Sequence, residues 1–96
     1  PDRELQAQID RAEHADRLLN DTLLQEALAA IKGEVHRAWI DCPARDHEGK
    51  EALWQLAKTA DKFETLLRGY VETGKLARMN LKAWEERKGL LRRVVG

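Results

Sequence analysis

The stretch from Leu53 to Trp84, LWQLAKTADKFETLLRGYVETGKLARMNLKAW, sets apolar or small residues at Leu53, Leu56, Ala60, Phe63, Leu67, Tyr70, Gly74, Ala77, Leu81 and Trp84. The steps alternate three and four without a slip. That is a heptad seam, the mark of a helix whose narrow apolar stripe must be covered by another helix. No proline interrupts it and the pattern extends from Asp46 toward Lys88, so the spacing predicts one long C-terminal helix.

The cover is sought upstream. From Leu23 a second helix is expected, with Leu24, Leu28, Ile31, Val35, Ala38 and Cys42 on one stripe and Trp39 beside it. Pro43 pushes Cys42 out of helical geometry, and Pro43-Ala44-Arg45 forms a short connection to Asp46, which is suited to cap the long helix. A first helix is read over Asp2–Leu19 from Leu5, Ile9, Ala12, Ala15 and Leu19. Asn20-Asp21-Thr22 interrupts it, because all three side chains compete for local backbone hydrogen bonds. Asp21 suits an N-cap, and Thr22 and Gln25 have capping-box spacing.

These elements predict an all-α antiparallel helical hairpin: helix, kink, helix, a turn at 43–46 and the long C-terminal helix, in one domain over 1–96. Pairing through the turn sets Val35 near Leu53, Ile31 near Leu56, Leu28 near Ala60 and Leu24 near Phe63. Beyond the kink, Ala12 and Ala15 come opposite Gly74 and Ala77, and Leu5 approaches Trp84. Glycine inside a helix costs about 1 kcal/mol relative to alanine, so Gly74 on the seam signals a close backbone approach, with a bend as the alternative. Trp54, Leu66, Val71, Leu76 and Met79 widen the apolar face beyond one seam. A helical homo-oligomer is therefore expected, in preference to a long helix that breaks near Gly74 and folds back.

Composition agrees with ordered amphipathic helices: 43% hydrophobic and 35% charged residues with two prolines exclude the profile of a disordered tail. Net charge is zero, but residues 1–48 carry eleven acids and six bases, a balance of −5, and residues 49–96 carry six and eleven, a balance of +5. The halves should attract. No apolar run approaches the roughly 18 residues of a membrane span, and Pro1-Asp2-Arg3-Glu4 has no signal-peptide character. The single cysteine, Cys42, excludes an intramolecular disulfide and fits a reducing compartment.

Chemistry is sparse. His36, Cys42 and His47 gather around the turn, but no paired Cys or His spacing of a zinc site is present, so no metal or other cofactor is expected. The carboxylates alternate with Arg and Lys as on a solvated helix surface, and nothing points to an enzyme. Trp39 and Trp54 flank the turn and Trp84 lies at the opposite end. Packing there is the first expectation and an exposed partner contact the alternative. Lys75, Arg78, Lys82, Arg87, Lys88, Arg92 and Arg93 form the candidate contact set for nucleic acid or a partner, although positive charge at a helix C-terminus also offsets the macrodipole. Leu90-Leu91-Arg92-Arg93-Val94-Val95-Gly96 reads as an amphipathic docking tail.

Several stretches resemble short helical accessory proteins of tailed bacteriophages and prophages. They are Arg11-Ala12-Glu13 with Leu18-Leu19-Asn20-Asp21, Leu24-Gln25-Glu26-Ala27-Leu28, Ala44-Arg45-Asp46-His47-Glu48-Gly49 with Leu53-Trp54, and Glu72-Thr73-Gly74-Lys75-Leu76-Ala77. The resemblance implies a non-enzymatic factor of head assembly or DNA packaging, whose partners are itself and other head or packaging proteins. It places the protein in the cytoplasm of a bacterial host during assembly, or in the virion. A DNA-binding packaging factor similar to a small terminase subunit is the alternative, and a cellular adaptor or chaperone is a third reading.

Overall fold

The computed structural model describes residues 2–95, with side chains through Arg93. Three helices account for nearly all of them: α1 (Asp2–Leu19), α2 (Thr22–Asp41) and α3 (His47–Val95). There is no strand among the described residues. The protein is the all-α hairpin with a long C-terminal helix that the heptad spacing predicts, and α3 runs unbroken through Gly74.

Local chemistry sets each boundary. Asp21 is extended, and its carboxylate accepts from the Leu24 amide at 3.0 Å, satisfying one of the donors that a helix start leaves open. The expected Thr22–Gln25 capping box does not form. With Asp21 as N-cap the reciprocal position is Leu24, and the Gln25 side chain instead donates to the Leu19 carbonyl at 2.8 Å, closing the end of α1. At the other end of α2, Cys42 is extended before Pro43 and its amide donates to the Trp39 carbonyl at 3.3 Å. Asp46 then donates its amide to the Pro43 carbonyl at 2.9 Å, and its carboxylate accepts from the Gly49 amide at 2.9 Å as the cap of α3.

Contacts divide the chain into two units, Pro1–Arg17 with Leu67–Gly96, and Leu18–Leu66. In the first, α1 buries Ile9, Ala12 and Ala15, and the C-terminal part of α3 buries Leu67, Gly74 and Ala77. Small residues meet small ones. A Cβ added at Gly74 would overlap that of Ala12 and lie 3.4 Å from the Gln8 carbonyl oxygen, so the glycine serves close approach and not a bend. Tyr70 is half-buried under the Arg11 guanidinium, 4.6 Å from its ring centre. Leu81 and Trp84 are half-buried, and Leu5 and Trp84 share one groove.

In the second unit α2 packs on the N-terminal part of α3. Leu28 and Ala60 are buried, and Leu24, Val35 and Leu53 are half-buried. Three expected seam residues are not interior: Ile31 is 45% exposed, Leu56 54% and Phe63 45%. Between Leu53, Ala60 and Leu67 the interior positions belong to Ala57 and Glu64, one residue further round the helix. The small Ala57 admits α2 closely, and Glu64 is held by an ion pair with Lys32. That pair departs from the expected register, because Glu64 lies about two and a half turns beyond the position set opposite Lys32 when Ile31 faces Leu56, although Val35 and Leu53 do line one groove.

Two stability outcomes follow from these packings. Gly74→Ala should cost about 1–3 kcal/mol by overpacking against Ala12, with part of the loss recovered by Ala12→Gly. Gly69→Ala, where an added Cβ meets nothing within 4 Å, should gain up to about 1 kcal/mol. Urea unfolding followed by circular dichroism reads both. By the same measurement Leu67→Ala and Leu28→Ala should each cost about 2–5 kcal/mol.

Candidate interaction surfaces

The basic candidates all lie on α3, but they do not form one continuous strip. Lys75, Arg78 and Lys82 share one side, within roughly 60° of each other at about 100° per residue. Two of them are already engaged: Lys75 with Glu72 at 3.1 Å, and Arg78 with Glu13 of α1 at 2.7 Å. Lys82 and Arg93 border one shallow groove together with Glu85 and Glu86, which break the positive run. Arg87 points elsewhere and joins Glu4 at the groove that holds Leu5 and Trp84. Lys88 lies over the Trp84 ring at 4.0 Å. Arg92 is exposed, as are Leu90 and Leu91 of the expected docking tail. The side chains of Val94 and Val95, and Gly96, lie outside the described residues.

A groove of about 330 Å³ opens along one flank of the α2–α3 pair. Val35, Trp39, Leu53, Trp54 and Ala57 form much of its wall, and Lys32, His36 and Asp61 supply polar groups. Both tryptophans are substantially exposed, Trp39 by 41% and Trp54 by 49%. Each is covered on one face by a lysine, Lys50 at 4.2 Å from the Trp39 ring and Lys58 at 5.4 Å from the Trp54 ring. Lys50 also donates to the Trp39 carbonyl at 3.3 Å, tying α3 to the last turn of α2. These two rings therefore line an open wall and do not plug the hairpin end.

Around the turn, His36 lines the groove, while the Cys42 thiol faces the Asp46 carboxylate at 3.7 Å. His47 begins α3. No group of three or more His, Cys, Asp or Glu among the described residues could hold a metal ion. No helix among them is long and apolar enough to cross a membrane.

The Lys32–Glu64 pair and Asp61 carry no signal in the sequence pattern, and His36, expected at the turn, lines the groove instead. The only advance signal was that Ala57 and Glu64 belong to a second three-and-four phase sharing Leu53, Ala60 and Leu67. No protein-family model, curated protein or solved structure matches the chain.

The exposures make a fluorescence prediction. In variants retaining one tryptophan each, acrylamide should quench Trp39 and Trp54 more strongly than the half-buried Trp84. Equal protection of all three would show that the Trp39–Trp54 groove is covered in solution.

Proposed function

We propose that this chain is a non-enzymatic structural or assembly accessory protein of a tailed bacteriophage or prophage, acting through helix packing and self-association. What carries the reading is the distribution of large apolar side chains. Leu23, Ile40, Leu56, Leu66, Leu76 and Met79 are all about half exposed or more. Polar residues on α3 engage in short-range pairs such as Gln55–Glu51 and Lys75–Glu72. Exposed large apolar side chains in this number suit contact with other proteins. The phage context rests on the stretches of sequence resemblance, and its partners are further copies and other head or packaging proteins.

The exposed Lys82, Arg87, Arg92 and Arg93 favour a second reading, a DNA-binding packaging factor resembling a small terminase subunit. Counterion release would reward those charges, and the binding would weaken steeply with salt. The neighbouring Glu85 and Glu86, and the pairing of Lys75 and Arg78, lower the field available to a phosphate backbone.

Light scattering on the full chain together with DNA retention at two salt concentrations separates the readings. The assembly reading expects a mass above one chain, unchanged when Arg87, Lys88, Arg92 and Arg93 become alanine. Strong low-salt DNA retention that those four substitutions abolish would move the assignment to the packaging factor. A single-chain mass at every concentration would remove self-association from the proposal.

A further inference from the structure

We infer that the Trp39–Trp54 groove of the Leu18–Leu66 unit is a docking site for an amphipathic helix of another protein, one whose apolar face is flanked by Asp and Glu. This rests on the reading above that the chain works by helix packing, and it names the chemistry of one partner.

The groove has the form of a recognition site. Its volume of about 330 Å³ lies at the lower end of the roughly 300–1,000 Å³ of ligand clefts. Val35, Leu53 and Ala57 make its wall together with the two indoles, and tryptophan is among the side chains that most often anchor an interface. Both rings keep close to half of their surface open, although Lys50 and Lys58 already shield one face of each.

The occupant's backbone decides its shape. Apart from the indole N–H groups, the lining offers only Lys32, His36 and Asp61 as polar side chains, and Lys32 is engaged by Glu64. An extended segment laid there would leave amides and carbonyls unpaired. A helix satisfies them internally and sets apolar side chains at three- and four-residue steps along the α2–α3 flank.

Charge then selects the partner. The unit is net acidic, with nine acids and six bases, but the two signs are unevenly spread. Three of the six bases, Lys32, Lys50 and Lys58, border the groove or stand over its rings, while Asp61 is the one acid among the lining residues. Neither Lys50 nor Lys58 is in an ion pair with a carboxylate among the described residues. They are eight residues apart on α3, about 12 Å along its axis, so carboxylates two turns apart on a docked helix match them. A helix flanked by Lys or Arg would meet like charge at both places.

A synthetic amphipathic helical peptide of Leu, Ala and Glu, and its counterpart with Lys for every Glu, test this against the full chain. In a Trp84→Phe background the tryptophan fluorescence reports the groove alone. The Glu peptide should bind and protect the rings from acrylamide, and Trp54→Ala should weaken that binding on the order of tenfold. Lys58→Glu should weaken it as well and strengthen binding of the Lys peptide. Phe63→Ala, outside the groove lining, should leave both unchanged. Trp54, Lys58 and Phe63 are exposed in the single chain, and circular dichroism checks that each variant stays helical. Equal affinity for the two peptides, or tighter binding of the Lys peptide, would overturn the acidic partner. Glu-peptide binding undiminished by Trp54→Ala would overturn the site. Protection of the rings that grows with protein concentration in the absence of peptide would give the groove to a second copy and overturn the inference. Binding of neither peptide would also overturn it, and a mass above one chain by light scattering would leave the assembly reading standing.

Discussion

Two helices laid side by side can hide only one stripe of each other, and this chain carries more apolar surface than one stripe holds. That constraint is met differently along α3. Against α1 the answer is small side chains: Ala12, Ala15, Gly74 and Ala77 let the backbones approach until a Cβ at Gly74 has no room. The close contact recovers dispersion energy that bulky side chains would otherwise supply, and it offsets the helix-propensity cost of the glycine. Against α2 the side chains are larger, only Leu28 and Ala60 are buried, and the face spreads outward over Ile31, Leu56 and Phe63. The first arrangement closes along its contact line, and the second leaves large apolar side chains exposed.

The helices and their ends were legible because each boundary is a local event. Pro43 constrains Cys42, Asp21 and Asp46 supply carboxylates to the helix starts, and these effects operate over three or four residues. The Gly74 contact was legible for a similar reason, since an interior glycine on a seam is costly unless something needs the space. The phase of the seam in the Leu18–Leu66 unit was not. Leu53, Ala60 and Leu67 belong equally to a stripe through Leu56 and Phe63 and to one through Ala57 and Glu64, and side-chain size favours the former. The interior takes the latter because Lys32 holds Glu64 and Ala57 admits α2. A long-range ion pair of this kind leaves no mark in local spacing, so the candidate surface followed from the phase that spacing could not choose.

Electrostatics adds direction more than strength. Lys75–Glu72 and Arg78–Glu13 join side chains that are more than half exposed, and such pairs contribute about 0–1 kcal/mol each. Lys32–Glu64 differs, because the Glu64 side chain is only 16% exposed. A carboxylate so far removed from water is tolerated only with a cation beside it, and that requirement selects one register of α2 on α3 over its neighbours.

The charge imbalance between the halves of the sequence persists in the two units. The Leu18–Leu66 unit holds nine acids and six bases, a balance of −3, and Pro1–Arg17 with Leu67–Gly96 holds eight and eleven, a balance of +3. A molecule with zero net charge thus still presents two fields of opposite sign. Fields of this kind act on any approaching charged molecule over about a Debye length, near 8–10 Å at physiological salt. Orientation of this kind changes how fast charged partners meet, while burial of apolar surface decides how long they stay. The basic residues near the end of α3 therefore need no phosphate backbone to have a physical role, since positive charge in the last turn also offsets the helix macrodipole.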